Sequence, residues 1–364
     1  MSLSHAAFGS GLRNWVKMLS ENLNDIPCSN LPKIGAISTA IACGVPIRLW
    51  ERYRNQGVIN QTNIERPLFI LGYYRSGTTF LHYLLGSDPR FSFPDTFQVM
   101  LPNMFNTGGQ GFRAIIENAL PETRPMDNLK MGARLPKEEE FALLNINGAS
   151  LAKGYLFPKK LIEYHHRYVL FDKSPEFEKQ WKSGLDYFLR KVASSKPGKT
   201  LVIKTPANTG RIKQILELYP DAKFVHIRRN PCTVYYSNLK MLGKIVGMLS
   251  LTKYSEEDLK NFLLHSYQTI YQSYQKQKLL IPTNNLIEVE YESFVKSPLL
   301  ELEKIYFELD LPDFNSVKPI IEHELESYKN YETNTFKMST PDLELIRRTW
   351  SDSFEKWGYT IEST

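Results

Sequence analysis

Apolar and polar positions change period several times along the chain, and the changes mark its elements. Leu12, Trp15, Val16, Leu19 and Leu23 recur at helical spacing in GLRNWVKMLSENLN, residues 11–24. That predicts an amphipathic helix packed on the core, with a membrane-surface or partner contact as the other use of such a face. A second helical segment covers 34–54 and is broken or restarted at Pro46. The pattern then switches to an unbroken apolar run, Leu68 to Leu71, in a strand over 67–71. A run without alternation is buried on both faces, as in a parallel sheet. Similar short strands are predicted at 200–203, 223–227 and 286–289. Helices are predicted over 79–85, 137–147, 181–194, 209–218, 232–242, 257–280, 299–309 and 341–355, the last with Pro341 in its first turn behind Ser339 or Thr340. Strands alternating with helices predict an α/β fold with a mainly parallel central sheet flanked by helices. Residues 1–64 read as a helical extension packed on a core domain of residues 65–364, single overall.

Composition narrows the partners. The chain has 364 residues, of which 42% are hydrophobic and 23% charged, enough for a core without staples. Cys28, Cys43 and Cys232 form no CxxC pair. This argues against a disulfide framework or a cysteine zinc site and fits a reducing compartment. The net charge of +6 suits an anionic small ligand or a membrane surface, and the lack of a long Lys/Arg block argues against nucleic acid. Met1 to Ser10 has no signal-peptide pattern, and the apolar stretch from Ile34 to Trp50 is interrupted by Pro46 and Arg48 and too short to span a bilayer. A cytoplasmic protein is expected.

The segment FILGYYRSGTTFLHYLL, residues 69–85, carries the strongest chemistry. Gly72 to Thr79 has the spacing of a phosphate-binding loop, GxxxxG-K-[ST], with Thr78 in the lysine position. Backbone N–H groups from Ser76 to Thr79 at a helix start attract a phosphate. The hydroxyls of Ser76, Thr78 and Thr79 add donors around Gly77, and Arg75 adds a forked cation. A P-loop-like three-layer fold follows. Without the lysine, and without a strand ending in a magnesium-holding Asp, a nucleotide with one 5′ phosphate-like group suits the loop better than a triphosphate. Further on, KFVHIRRNPCTVYYS, residues 223–237, delivers Arg228 and Arg229 at a strand's carboxyl end, where open α/β sheets bind ligands. Ser237, eight residues after Arg229, lies about two turns into the next helix.

Together the two segments resemble sulfotransferases that use 3′-phosphoadenylyl sulfate (PAPS), in the broad bacterial branch distantly similar to the tyrosylprotein enzymes. The resemblance covers residues 65–360. It implies that Arg75, Ser76, Gly77, Thr78 and Thr79 hold the 5′-phosphosulfate, that Arg229 and Ser237 hold the 3′-phosphate, and that Tyr291 of IEVEYESFVKSP lies near the adenosine. YKNYETNTF, residues 328–336, resembles a late family segment. Lys204, ending the strand in IKTP, would bridge donor and transition state. For the base, the family places a carboxylate downstream of the phosphate loop. There Asp95 of PDTFQV is the one carboxylate, and Gln98 stands where many relatives have Glu. LPKEEEFALLN is similar to a stretch whose glutamates line the acceptor side, with Glu138 and Glu140 matching, and these two rank ahead of Asp95. At helical spacing Glu138, Glu139 and Glu140 point in three directions.

Sulfuryl transfer needs the acceptor proton removed, the sulfuryl oxygens stabilised and the leaving phosphate assisted, with Arg75 and the loop amides serving the last. It needs no metal, and no His/Cys/Asp cluster has metal spacing. His226 reads as a core residue; His82, His165 and His166 receive no role. Phe91, Phe93, Phe97, Phe105 and Phe112 could line an apolar acceptor pocket or pack the core, so a lipid- or sterol-like alcohol is the expected acceptor, with a carbohydrate or other metabolite as the alternative. From other classes, an ATP-dependent P-loop kinase and a non-catalytic nucleotide-binding or membrane-associated protein stay open.

Overall fold

The computed structural model describes residues 5–107, 109–124, 129–329, 336 and 338–360. Residues 330–335 of the late family-like stretch lie outside them. The chain divides into two units built from interleaved segments. One comprises residues 1–64, 93–199 and 243–259; the other comprises 65–92, 200–242 and 260–364.

The second unit holds the sheet. β1 (Leu68–Leu71), β2 (Phe91–Ser92), β3 (Thr200–Lys204), β4 (Lys223–Arg228) and β5 (Leu286–Glu290) are parallel, in the order β2-β3-β1-β4-β5. The chain leaves β1 for β2 and β3 on one side, then returns across it to β4 and β5. That reversal beside β1 is where such sheets open a crevice at their carboxyl ends. β1 is buried along its whole length, as its unbroken apolar run requires. Leu68, Ile70, Val202, Val225, Ile227 and Val289 pack with Leu81, Leu84 and Leu85 of the helix Thr78–Gly86 and with Phe294, Leu302 and Ile305 of the later helices. Each such side chain contributes roughly 1.5–3 kcal/mol by leaving water.

The predicted strands match those observed to within a residue at either end. β2 escaped prediction because two residues carry no readable period. Helix Pro175–Ser195 begins earlier than its apolar period suggested, and Ser174 and Pro175 mark the start: the Ser174 hydroxyl accepts the Glu176 N–H and proline occupies the first turn. Helix Pro231–Leu249 runs a full seven residues past its predicted end.

The first unit is helical among its described residues. Leu12–Ser20, Leu31–Cys43 and Val45–Gln61 open it, separated near Pro46 as the sequence predicts. Trp15, Trp181, Leu185 and Phe188 are fully buried. Lys191 is buried too, pairing with Glu51 and donating to the Pro102 carbonyl at 2.6 Å. A buried cation so partnered holds its place because losing either partner strands a charge.

Candidate active site

Between β1 and the helix Thr78–Gly86 the chain turns through Gly72 to Gly77, and every carbonyl from Gly72 to Arg75 is anchored. Thr209 Oγ1 accepts the Gly72 N–H at 2.8 Å and donates to the Gly72 carbonyl at 3.2 Å. The Tyr73 carbonyl accepts the Ser76 amide at 3.2 Å and the Ser76 hydroxyl at 2.6 Å. Asn238 donates to the Tyr74 carbonyl at 2.7 Å, and Arg229 to the Arg75 carbonyl at 3.1 Å. Carbonyls so anchored have their negative ends met by donors of the protein itself. The amides of a helix start have no acceptor one turn back, so they serve as donors to an anion there. Both donors of Ser76 go to Tyr73, so this residue shapes the loop here, whereas the sequence reading gave its amide and hydroxyl to a phosphate.

The loop needs an unusual backbone. Gly77 has φ of 97°, and a Cβ there would stand 2.3 Å from Cδ2 of Tyr291. Gly72 has φ of 139°, and its Cβ would meet the Ile227 carbonyl at 2.5 Å. Arg75 adopts φ of 69° without being glycine, a strain of about 1–3 kcal/mol of the kind that marks functional loops. Its side chain is fixed as well: Arg75 Nε donates to Ser237 Oγ at 2.9 Å. Ser237 is thereby tied to the loop through Arg75. Arg229 lies with its guanidinium carbon 4.0 Å from the Tyr291 ring centroid. Tyr291, the first residue after β5, is buried between the Gly77 backbone and that arginine. Arg75 and Arg229 are both half-buried, so each cation keeps solvent access while its stem is held.

Lys204 ends β3, is buried, and lies in register with Ile70 of β1, two residues before the loop glycine. Its charge reaches His82 in the adjoining helix. Burial chiefly, then Lys204, holds the His82 imidazole well below its ordinary range, with the Val202 carbonyl acting the other way. His226 is buried in β4, stacked on Tyr274 with centroids 3.9 Å apart, and burial lowers it to about 3. It is a core residue in place as well as in pattern.

The second unit thus brings together Arg75 to Thr79, Lys204, Arg229, Ser237 and Tyr291. Sequence reading missed Thr209 and Asn238. Neither carries a motif, and their partners lie 137 and 164 residues away.

The three carboxylates belong to the first unit. Asp95 caps the helix Thr96–Met100. Its side chain accepts the Gln98 N–H at 2.8 Å while Gln98 accepts the Asp95 N–H at 3.1 Å, a reciprocal capping box. Arg113 pairs with it at 2.9 Å. The Asp95 and Pro136 backbones form an antiparallel bridge, so the PDTFQV and LPKEEEF segments run side by side. The helix here starts at Glu140, so Glu138 and Glu139 precede it and helical spacing does not govern their directions. Glu140 is buried, its Oε1 accepting from Ser150 Oγ at 2.9 Å and from the Leu151 N–H at 2.6 Å. Glu138 is half-buried. Of the phenylalanines, Phe91 belongs to the core of the sheet unit, and Phe97 and Phe105 are buried against Arg113 and Phe188. Phe93 and Phe112 are half-buried. Among the described residues no group of His, Cys, Asp and Glu could hold a metal ion.

Comparison with known proteins places the chain in a family. The chain is 27% identical over 312 residues to the omega-hydroxy-beta-dihydromenaquinone-9 sulfotransferase Stf3 of Mycobacterium tuberculosis, covering 85% of this chain and 80% of that one. Its fold resembles the crystal structure of sulfotransferase STF9 from Mycobacterium avium, with a TM-score of 0.73 at 16% identity, covering 96% of this chain and 92% of the other. Sulfotransferase STF1 from Mycobacterium tuberculosis H37Rv follows, with a TM-score of 0.64 at 16% identity, covering 95% and 94%. The sulfotransferase family profile matches residues 67–316, a span holding the phosphate loop, Lys204, Arg229, Ser237 and Tyr291, and the chain belongs to the sulfotransferase family.

Proposed function

We propose that the chain transfers the sulfuryl group of PAPS to the hydroxyl of a small apolar acceptor and releases adenosine 3′,5′-bisphosphate. The observation that carries the donor assignment is the Gly72–Gly77 turn, with its carbonyls anchored and Arg75 and Arg229 held by hydrogen bonds around it. These residues suit a ligand with anionic groups at two positions.

In the proposed reaction a bond forms from the acceptor oxygen to sulfur, and the bond from sulfur to the bridging phosphate oxygen breaks. The acceptor proton passes to a base. Arg75, the amides of Gly77 to Thr79 and the hydroxyls of Thr78 and Thr79 take the charge that grows on the leaving phosphate. Lys204 stands at the strand end to neutralise the sulfuryl oxygens. Arg229 and Ser237 take the 3′-phosphate, and the Arg75–Ser237 bond couples the two anion sites. Tyr291 supports Gly77 and stacks on Arg229 near the adenosine. Glu138 and Glu140 are proposed as the base candidates, ahead of Asp95, whose carboxylate caps its own helix and pairs with Arg113.

The mycobacterial relative is named for a hydroxyl on a menaquinone-derived lipid, which supports an apolar alcohol here over a carbohydrate. Cys28, Cys43 and Cys232 are all unpaired, which supports a reducing cytoplasm. Thermal shift tests the donor: adenosine 3′,5′-bisphosphate without magnesium is expected to raise the melting temperature, and ATP with magnesium is not. Stabilisation by magnesium-ATP alone would point to a kinase instead. Labelled PAPS offered to lipid, sterol and sugar alcohols tests the acceptor, and turnover on sugars alone would overturn the apolar assignment.

A further inference from the structure

Helix Val45–Gln61 has two unlike sides. Its inner side buries Glu51 and Ile59. Glu51 is held there by Lys191 and by the backbone N–H groups of Asn106 and Thr107. Over its first three turns the outer side carries large apolar side chains where water would favour polar ones, and exposed Gln56 and Asn60 follow them. Leu49 is 64% exposed, Trp50 54% and Tyr53 83%. At 100° per residue these three, with Gly57, fall on one side of the helix, and the exposed Arg52 and Arg54 flank them left and right. The Trp50 and Tyr53 rings approach to 6.3 Å between centroids, so the apolar groups form a patch rather than scattered points. The one acid of the helix is the buried Glu51, and the exposed side therefore carries cations only.

We propose that this face docks on an anionic lipid bilayer surface. Tryptophan and tyrosine are at home where hydrocarbon meets headgroup, and arginines on the flanks of such a stripe reach anionic headgroups. Among the described residues no helix is long and apolar enough to cross a membrane, and this one, about 25 Å long, lies in the interface plane rather than spanning it. A second copy of the chain fits less well: a two-fold contact sets the same patch against itself, placing arginine opposite arginine with no exposed acid on the helix to pair them. In the same unit, helix Leu12–Ser20 also turns Leu12 and Val16 outward beside Arg13 and Lys17.

The docking face shares no residue with the proposed donor site, so calorimetry with adenosine 3′,5′-bisphosphate distinguishes failure of one from failure of the other. The experiment co-sediments the full chain with vesicles of phosphatidylcholine, with and without phosphatidylglycerol, and follows tryptophan emission. Binding to the anionic vesicles with a blue-shifted emission is expected. Joint Trp50→Ser and Tyr53→Ser substitution should weaken partition by roughly tenfold. Joint Arg52→Gln and Arg54→Gln substitution should weaken it on anionic vesicles by about tenfold or more while leaving the weak binding to neutral ones. All four side chains are exposed, so both variants should melt as the parent does. Absence of vesicle binding by the parent overturns the proposal, as does equal binding by both variants. So does a dimer that the Trp50 and Tyr53 substitutions convert to monomer.

Discussion

At the scale of single residues, Arg75 does most to define the proposed donor site. It holds a left-handed backbone, lends its carbonyl to Arg229 and its Nε–H to Ser237. Arg75→Ala should weaken adenosine 3′,5′-bisphosphate binding by about 10–100-fold, because a charge-assisted hydrogen bond contributes roughly 1.5–3 kcal/mol. Arg75→Lys should restore little, since an ammonium group cannot present the fork that meets Ser237 and an anion at once. Calorimetry reads both, and full affinity in either variant would remove Arg75 from the site. Thr209 acts one step back. Thr209→Val keeps the shape but takes away both bonds to Gly72, leaving a buried N–H without its acceptor. A stability loss of about 1–3 kcal/mol in urea unfolding is expected, together with weaker nucleotide binding. A purely structural role would lower stability and leave the affinity of the folded protein unchanged.

At the scale of elements, the acidic stretch shows how a boundary decides chemistry. LPKEEEF begins as an extended segment beside Pro94 and Asp95 and becomes helix only at Glu140. Glu138→Gln should keep nucleotide binding and lose most turnover, as removal of a general base costs roughly 10²–10⁴-fold. Asp95→Ala should instead lower stability by about 1 kcal/mol through its lost cap, with a smaller effect on rate. Paired melting and rate measurements separate the two, and the reverse outcome would move the base to Asp95. The cap also accounts for Gln98, which serves as the reciprocal partner of Asp95 where a glutamate would place a second carboxylate beside the first.

At the scale of the whole molecule, buried imidazoles tie stability to pH. Burial lowers His226 from its ordinary 6.5 to about 3 and His5 to about 4. Both are neutral in the folded chain and bind protons more readily once unfolded. Their contribution is fully present above about pH 6.5 and is lost as pH falls toward 3. Melting temperature should therefore decline through that window, and His226→Gln should flatten the decline. A melting temperature unchanged between pH 6.5 and 4 would contradict this account.

Much of the sheet, and the loop proposed to hold the donor, could be read from the sequence alone. Parallel strands buried on both faces leave unbroken apolar runs, and GYYRSGTT displays in consecutive residues the glycines, hydroxyls and cation that an anion loop requires. Local signals of that kind need no partner to be legible. What tertiary structure alone decided was pairing: Ser237 goes to Arg75, Thr209 clamps Gly72, Asn238 holds Tyr74, and Tyr291 fills the space that only a glycine leaves. These contacts join residues far apart in the chain, and a hydrogen bond depends on where two groups finally stand, which no periodicity within one segment records.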